Sequence, residues 1–253
     1  MQPIQKKPAD WTAEDIASFW DWQSTTISRQ KQYFTAPLAP GIVRFLKKKG
    51  LLKGNVLDYG CGAGHLLQQM VKETGVNFYG LDFSPDSIAA TEKRTLNNTN
   101  LKQLVLVKKL PSLFDTAMFD TITLIETIEH LQDGPLHETM DELYRILKSK
   151  GRIFITTPFN ENLDSNMNFC PFCKSEFHHM QHMQSFTIER LTTLAKQHQF
   201  TVDYCSNINI EKFKLGAIKY FIKSVLKKLA VTAGLKEKEN ETHPNLIAIF
   251  SKP

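Results

Sequence analysis

A glycine-rich turn between two segments of opposite periodicity constrains this chain more than any other feature. Asn55-Val-Leu-Asp-Tyr-Gly60 is a short apolar run of strand character, and Leu66, Leu67, Met70 and Val71 follow at helical spacing. Between them stands Gly60-Cys61-Gly62-Ala63-Gly64. A strand that runs through glycines straight into a helix belongs to a βα unit. There the backbone bends tightly and approaches a ligand closely, and glycine alone allows both without a side-chain clash. The alternation continues with strand-like runs at Asn77–Asp82, Leu104–Val107, Thr121–Glu126 and Arg152–Thr157, and it closes with Phe200–Tyr204 and Leu246–Phe250. The clearest helix covers 136–147. Its Leu136, Met140, Leu143, Tyr144 and Leu147 share one face, and Gly151 stands beyond it as a stop. Thr187 is placed to cap a helix bearing Ile188, Leu191, Leu194 and Ala195. The expected class is α/β with a mostly parallel sheet. A helical cap at 1–54 precedes a core at 55–158, an insertion at 159–186 and the rest of the core at 187–253.

A chain of 253 residues with 42% hydrophobic and 23% charged residues can bury a sizeable core, which argues against a disordered or fibrous protein. No apolar run approaches the roughly 20 residues of a membrane span, and the first residues lack the apolar stretch of a signal peptide. A cytoplasmic protein is expected. Four cysteines are too few for a disulfide scaffold. The net charge of +5 is local, because 211–240 holds eight Lys and three Glu and leaves the remainder neutral.

The turn departs from a dinucleotide fingerprint. Its third glycine comes one residue early, with His65 in the fingerprint's place, and Asp58 sits where a carboxylate would repel a diphosphate but attract a cation. Asp82, at the end of the next strand, is placed to accept from a ribose diol. The plain alternative is a glycine-bearing turn with an acid nearby. With these residues on the page, the chain resembles the class I S-adenosylmethionine-dependent methyltransferases over about residues 50–160, through VLDYGCGAG, GLDFSPDSI, FDTITLIETIEHL and LKSKGRIFITTP. The resemblance implies a Rossmann-like, seven-stranded, mostly parallel sheet with an antiparallel last strand at Leu246–Phe250. It places Gly60, Cys61, Gly62 and Gly64 against the methionine part of S-adenosylmethionine, Asp58 near its ammonium, Asp82 on the ribose, Phe83 beside the adenine and Glu126 at the cofactor. An acid expected after the third strand is replaced by Lys108-Lys109-Leu110. Two other readings stand beside the methyltransferase: a non-catalytic nucleoside-binding partner module, and a dehydrogenase that would bind NAD.

Glu126, Glu129 and His130 follow the fourth strand at a spacing that lets them face one side of a helical turn. For a hydroxyl acceptor a proton must leave, and His130, beside Glu129, is the candidate base. This E-x-x-E-H arrangement resembles that of ubiquinone-biosynthesis O-methyltransferases and of small-RNA 3′-terminal 2′-O-methyltransferases, which implies a divalent metal next to the acceptor hydroxyl. The alternative is that Glu126 touches the cofactor while Glu129 and His130 only close the loop.

The insertion contains Cys170-x2-Cys173-x4-His178-x3-His182, and two thiolates with two imidazoles suit a tetrahedral, structural zinc. His179 is an alternative to His178. Similar CPxC insertions occur in a group of bacterial class I methyltransferases, which the segment from Cys170 to Phe186 resembles. In 211–235, Phe213, Ile218, Phe221, Ile222 and Leu226 interleave with lysines. That pattern suits a helix in peripheral contact with an anionic membrane surface, and equally a core-packing helix with a solvated outer face. Nucleic acid is not expected as a partner, since the remainder is neutral. The expected acceptor is a small molecule or a lipid-linked one.

Overall fold

The computed structural model of this chain describes residues 11–210, 213 and 244–253. The basic stretch at 211–240 therefore lies, but for Phe213, outside the described residues. Three helices come first among the described residues, α1 (Ala13–Ser24), α2 (Ile27–Gln30) and α3 (Thr35–Lys48). Thr12 opens α1 with a reciprocal capping box to Asp15. Then come β1 (Gly54–Tyr59), α4 (His65–Met70), β2 (Val76–Asp82), α5 (Pro85–Arg94), β3 (Leu101–Leu106) and β4 (Phe119–Ile125). A single 3₁₀ turn, Ile128–His130, leads to α6 (Asp133–Ile146) and β5 (Leu147–Pro158). The insertion forms a small hairpin of β6 (Met167–Phe169) and β7 (Glu176–His178). The described chain ends with α7 (Ile188–Gln197), β8 (Thr201–Ile208) and β9 (Asn245–Ser251).

Seven strands form one sheet in the order β3-β2-β1-β4-β5-β9-β8. The strands from β3 to β5 pair in parallel, and β9 is antiparallel to both β5 and β8. The expected fold class is thus found. Strand order reverses between β1 and β4, which puts the crevice of an open α/β sheet at the C-terminal ends of those two strands.

Successive residues of each central strand feed opposite faces of the sheet. Leu57, Ile122, Ile153 and Ile155 pack with Leu136, Met140 and Leu143 of α6 and Leu191 of α7. Val56, Phe78, Phe154 and Ile249 pack on the other face with Ile42 and Leu46 of α3 and Leu66, Leu67 and Met70 of α4. Each such side chain, fully removed from water, contributes about 1.5–3 kcal/mol. A buried sheet of this kind holds its strand ends rigidly, which the crevice requires. Among the described residues no helix is long and apolar enough to cross a membrane.

One helix boundary differs from expectation. Leu147 begins β5 instead of ending α6, and Gly151, expected as a helix stop, lies inside that strand. Leu147 is fully buried, and its strand position pairs it with Phe119 of β4.

Candidate active site

The turn after β1 is built by left-handed backbone: Gly60, Gly62 and Gly64 have φ of +74°, +51° and +77°. The turn is held under β2 by the Gly60 and Cys61 N–H groups, which donate to the Leu81 carbonyl at 2.8 and 3.0 Å. It has no room for side chains either. A Cβ on Gly62 would meet the Tyr33 ring at 2.7 Å, and one on Gly64 would meet the Thr91 Cα at 2.9 Å. Cys61 takes part through its backbone. Its side chain is buried, and burial, followed by the charges of Asp82 and Asp58, pushes its thiol well above the ordinary range.

Two carboxylates face this turn. Asp82 accepts from Gly62 N–H at 2.8 Å through Oδ2 and from Ser84 N–H at 2.9 Å through Oδ1. Burial lifts it to about 6, although the Ser84, Gly62 and Phe83 N–H groups pull the other way. Asp58, also buried, accepts from Thr123 Oγ1 at 2.7 Å. Burial raises it to about 7 against that hydrogen bond, with the Asp82 charge adding to the rise. The cap supplies a third acid, because Asp21 of α1 accepts from Ser84 Oγ at 2.6 Å. None of these acids forms a salt bridge among the described residues, so the crevice has the charge for a cationic ligand. Phe83, next to Asp82, is 37% exposed and free to face a planar group. The cap closes over the turn through Ser24 Oγ, which lies 2.9 Å from Ser87 Oγ and 2.8 Å from the Tyr33 hydroxyl.

At the end of β4, Glu126 has φ of +49°, a conformation that non-glycine residues rarely hold. Its Oε1 accepts from Thr156 Oγ1 of β5 at 2.8 Å, and burial lifts it to about 8. Glu129 is fully buried. Its Oε2 accepts from Thr157 Oγ1 at 3.0 Å, while its Oε1 has no hydrogen-bond partner among the described residues. Burial, followed by Glu126, pushes Glu129 well up. His130 packs edge-on against Trp20, with ring centres 4.7 Å apart, and its Nδ1 donates to the Gln181 carbonyl at 3.4 Å. Its Nε2 lies 3.9 Å from Glu129 Oε1. Burial, followed by His182, pushes His130 down to about 3, so the ring is neutral at pH 7.

The insertion completes this cluster. Met183 and Gln184 N–H groups donate to the Glu129 carbonyl at 2.7 and 3.0 Å, and Gln181 Oε1 accepts from Trp20 Nε1 at 2.9 Å. Glu129, His130 and His182 thereby bring one ligand atom each within 4.8 Å of one another, and so do Glu161, His178 and His182. Either set has the atom types of a divalent-cation site.

The expected Cys170–Cys173–His178–His182 zinc set is not assembled. Neither thiol joins a group of three metal-ligating atoms among the described residues. The hairpin register explains why. Phe169 pairs with Glu176 and Met167 with His178, so Cys170 follows one end of the hairpin and His178 closes the other. At about 3.3 Å per residue the two stand about 10 Å apart along the strands. Cys173 instead donates to Ser175 Oγ at 3.2 Å. His182 reaches the cluster after β4, and His178 turns to Glu161, whose Oε1 lies 3.5 Å from its Nε2.

Several residues of the site were not singled out by sequence reasoning: Glu161, Trp20, Tyr33, Gln181 and the threonines Thr123, Thr156 and Thr157. Of these only Glu161 had a positional signal, since it follows the C-terminal edge of β5 by three residues.

Residues 29–204 match the family described as a methyltransferase domain. Over 116 residues the chain is 32% identical to the ubiquinone biosynthesis O-methyltransferase of Glaesserella parasuis serovar 5, covering 44% of this chain and 48% of that protein. The chain thus spans about half the length of the curated relatives it matches. Among solved structures, the putative methyltransferase bound to the Haloferax volcanii Trm112 methyltransferase activator is similar with a TM-score of 0.64 and 18% identity, over 92% of this chain and 97% of that one. Magnesium protoporphyrin IX methyltransferase from Synechocystis with bound S-adenosylmethionine is similar with a TM-score of 0.57 and 13% identity, over 96% and 99%. At such identities these two structures speak for the fold. With the family match over 29–204, the glycine turn and the acid after β2, the chain belongs to the methyltransferase domain family.

Proposed function

We propose that this chain binds S-adenosylmethionine at the turn after β1 and transfers its methyl group to a hydroxyl of a small or lipid-linked acceptor held beside Glu129 and His130. The observation that carries the acceptor half is a buried oxygen left open: among the described residues Glu129 Oε1 has no hydrogen-bond partner, and His130 Nε2 lies 3.9 Å from it. A buried acceptor atom without a donor is costly, and a cation or a hydroxyl proton relieves it. The partial likeness to ubiquinone biosynthesis O-methyltransferases supports oxygen as the acceptor atom.

The donor, when bound, supplies an electrophilic methyl on a sulfonium. Asp82 accepts from its ribose hydroxyls, Asp58 faces its ammonium, and the glycine turn lets the backbone come close enough to align it. The residues at the end of β4 fit a divalent ion as well, with Glu129, His130 and His182 as its ligands; such an ion would lower the hydroxyl pKa and orient the oxygen. His130, pushed down to about 3, suits a ligand better than a lone general base. A cavity of about 430 Å³, lined by Phe19, Trp22, Phe177 and Met180, opens between α1 and the β6–β7 hairpin and suits an apolar acceptor body.

Calorimetric titration of the full chain with S-adenosylhomocysteine tests the donor site. Binding is expected in the wild type and lost in Asp82→Ala, and equal binding by both refutes the assignment. With an identified acceptor, His130→Ala should lower turnover by about 10²–10⁴-fold with donor affinity little changed. EDTA should stop the wild type, and magnesium or manganese should restore it. Normal turnover in His130→Ala refutes the acceptor half.

A further inference from the structure

Glu161 lies in the loop after β5, outside the E-x-x-E-H cluster, and it faces two histidines at once. Its Oε2 is 2.6 Å from His182 Nδ1 and its Oε1 is 3.5 Å from His178 Nε2. The two rings stack with centres 4.6 Å apart at 23°, and His182 N–H donates to His178 Nδ1 at 3.3 Å. On its other side the His182 ring lies 4.9 Å from that of His130.

The proton positions follow from the donor and acceptor inventory. A carboxyl is ordinarily ionised near pH 7. An ionised carboxylate only accepts, so the proton between Glu161 and His182 is on Nδ1. In its neutral form the imidazole carries one proton, and the His182 lone pair is then on Nε2. His178 Nδ1 accepts from backbone, which places that ring's proton on Nε2, toward Glu161. The Glu161 side of His182 thus holds a hydrogen bond already made, whereas on the other side Glu129 Oε1 has no hydrogen-bond partner among the described residues; His178 Nε2, 3.5 Å from Glu161 Oε1, has none either.

We propose that Glu161 is a positioning residue: by taking the Nδ1 proton of His182 it fixes the tautomer that presents Nε2 to the Glu129–His130 group. Histidines that ligate metal commonly donate their other N–H to a carboxylate, which sets ring orientation and raises ligand basicity. Here that carboxylate comes from the loop after β5 and the ring from the insertion, so the insertion is coupled to the cluster by one short hydrogen bond. The cation reading of that cluster belongs to the function proposed above, whereas the tautomer assignment stands apart from it.

Two readouts on the full chain, saturated with S-adenosylhomocysteine, test this. Ring ¹⁵N spectra should show His182 as the Nδ1–H tautomer in the wild type and a mixture in Glu161→Ala. Glu161→Gln, whose amide oxygen still accepts from Nδ1, should keep much of the wild-type signal. Manganese titration should show affinity about 10–100-fold weaker in Glu161→Ala, with Glu161→Gln in between and S-adenosylhomocysteine affinity within about twofold of wild type. An unchanged His182 ring in Glu161→Ala overturns the proposal. So does a manganese affinity lost in His178→Ala but kept in Glu129→Gln, because the ion would then occupy the other set. If wild type takes up no manganese, the cation reading fails, and the ring spectra still decide the role of Glu161.

Discussion

Asp58→Asn should make the ligand-free protein more stable at alkaline pH while weakening its affinity for the methyl donor. The wild-type carboxyl is buried and driven to about 7 from an ordinary 3.8. Between those values the fold holds a proton that the unfolded chain releases. The fold therefore binds more protons than the unfolded chain, and stability falls as pH rises through that window. At about 1.4 kcal/mol per pH unit, the ionised carboxylate costs the fold about 4 kcal/mol above pH 7. Asparagine still accepts from Thr123 Oγ1 and carries no charge. Urea unfolding of both proteins without ligand should therefore show an advantage for the variant that grows by about 2–3 kcal/mol from pH 5 to pH 8. In the presence of S-adenosylhomocysteine the variant's advantage should shrink by about 1.5–3 kcal/mol, since loss of a charge-assisted contact of that size weakens binding about 10–100-fold. An advantage that is flat across pH, or a variant less stable than wild type at pH 8, refutes the reasoning: the carboxylate would then be held by a favourable partner in the fold.

A glycine pair separates sterics from backbone strain. Gly64 and Gly75 share a left-handed φ of +77° and +74°, but an added Cβ meets Thr91 at the first and open space at the second. Gly75→Ala should cost about 1–2 kcal/mol of backbone strain. Gly64→Ala should cost about 1–3 kcal/mol more for overpacking and should weaken S-adenosylhomocysteine binding, as read from thermal unfolding with and without ligand. Equal costs would mean that α5 simply moves aside. Away from the site, Glu142 accepts from Ser112 N–H at 3.0 Å and from Arg145 Nε and Nη2 at 2.7 and 2.8 Å. Burial opposes its ionisation, but the Arg145 and Ser112 hydrogen bonds outweigh burial and hold it below 4.5. Its contribution is thus present above pH 4.5 and lost as pH falls through the lowered value. Glu142→Gln should cost about 1–3 kcal/mol at pH 7, with a gap that narrows in acid-unfolding curves toward pH 3.

The βα core was legible because each strand end coincides with a change of period. Asp58 and Asp82 stand where a short run of buried strand residues gives way to a turn, and the structure brings both to the glycines. Leu147 was misread because an apolar residue at that position continues the α6 stripe and equally starts a buried strand, and only pairing with Phe119 decides between them. The β6–β7 hairpin had no period to read. Its strands have three residues each, and Phe177 is held from outside by Trp11 and Phe19 at 5.4 and 6.5 Å. Spacing alone suggested that Cys170, Cys173, His178 and His182 converge, yet spacing along a chain says nothing about hairpin register, and register sets them apart. Glu161 belongs to no motif, and its partners are 17 and 21 residues away in a segment whose path the sequence leaves open.

The place of β9 in the sheet has a consequence for how this protein is made. It is the last of the nine described strands in chain order, yet it sits between β5 and β8, with both of its edges paired and residues 245–250 buried. Until those residues leave the ribosome, β5 carries an open edge beside the fully buried Ile153, Phe154 and Ile155, and β8 has no strand to join. An unpaired apolar edge is a template for pairing with other chains. Between the emergence of β8 and that of β9 the nascent protein therefore passes through a state that invites aggregation, in which a chaperone has the most to shield. The same arrangement gives a direct measure of completion: protease resistance of stalled chains should rise only once β9 has emerged.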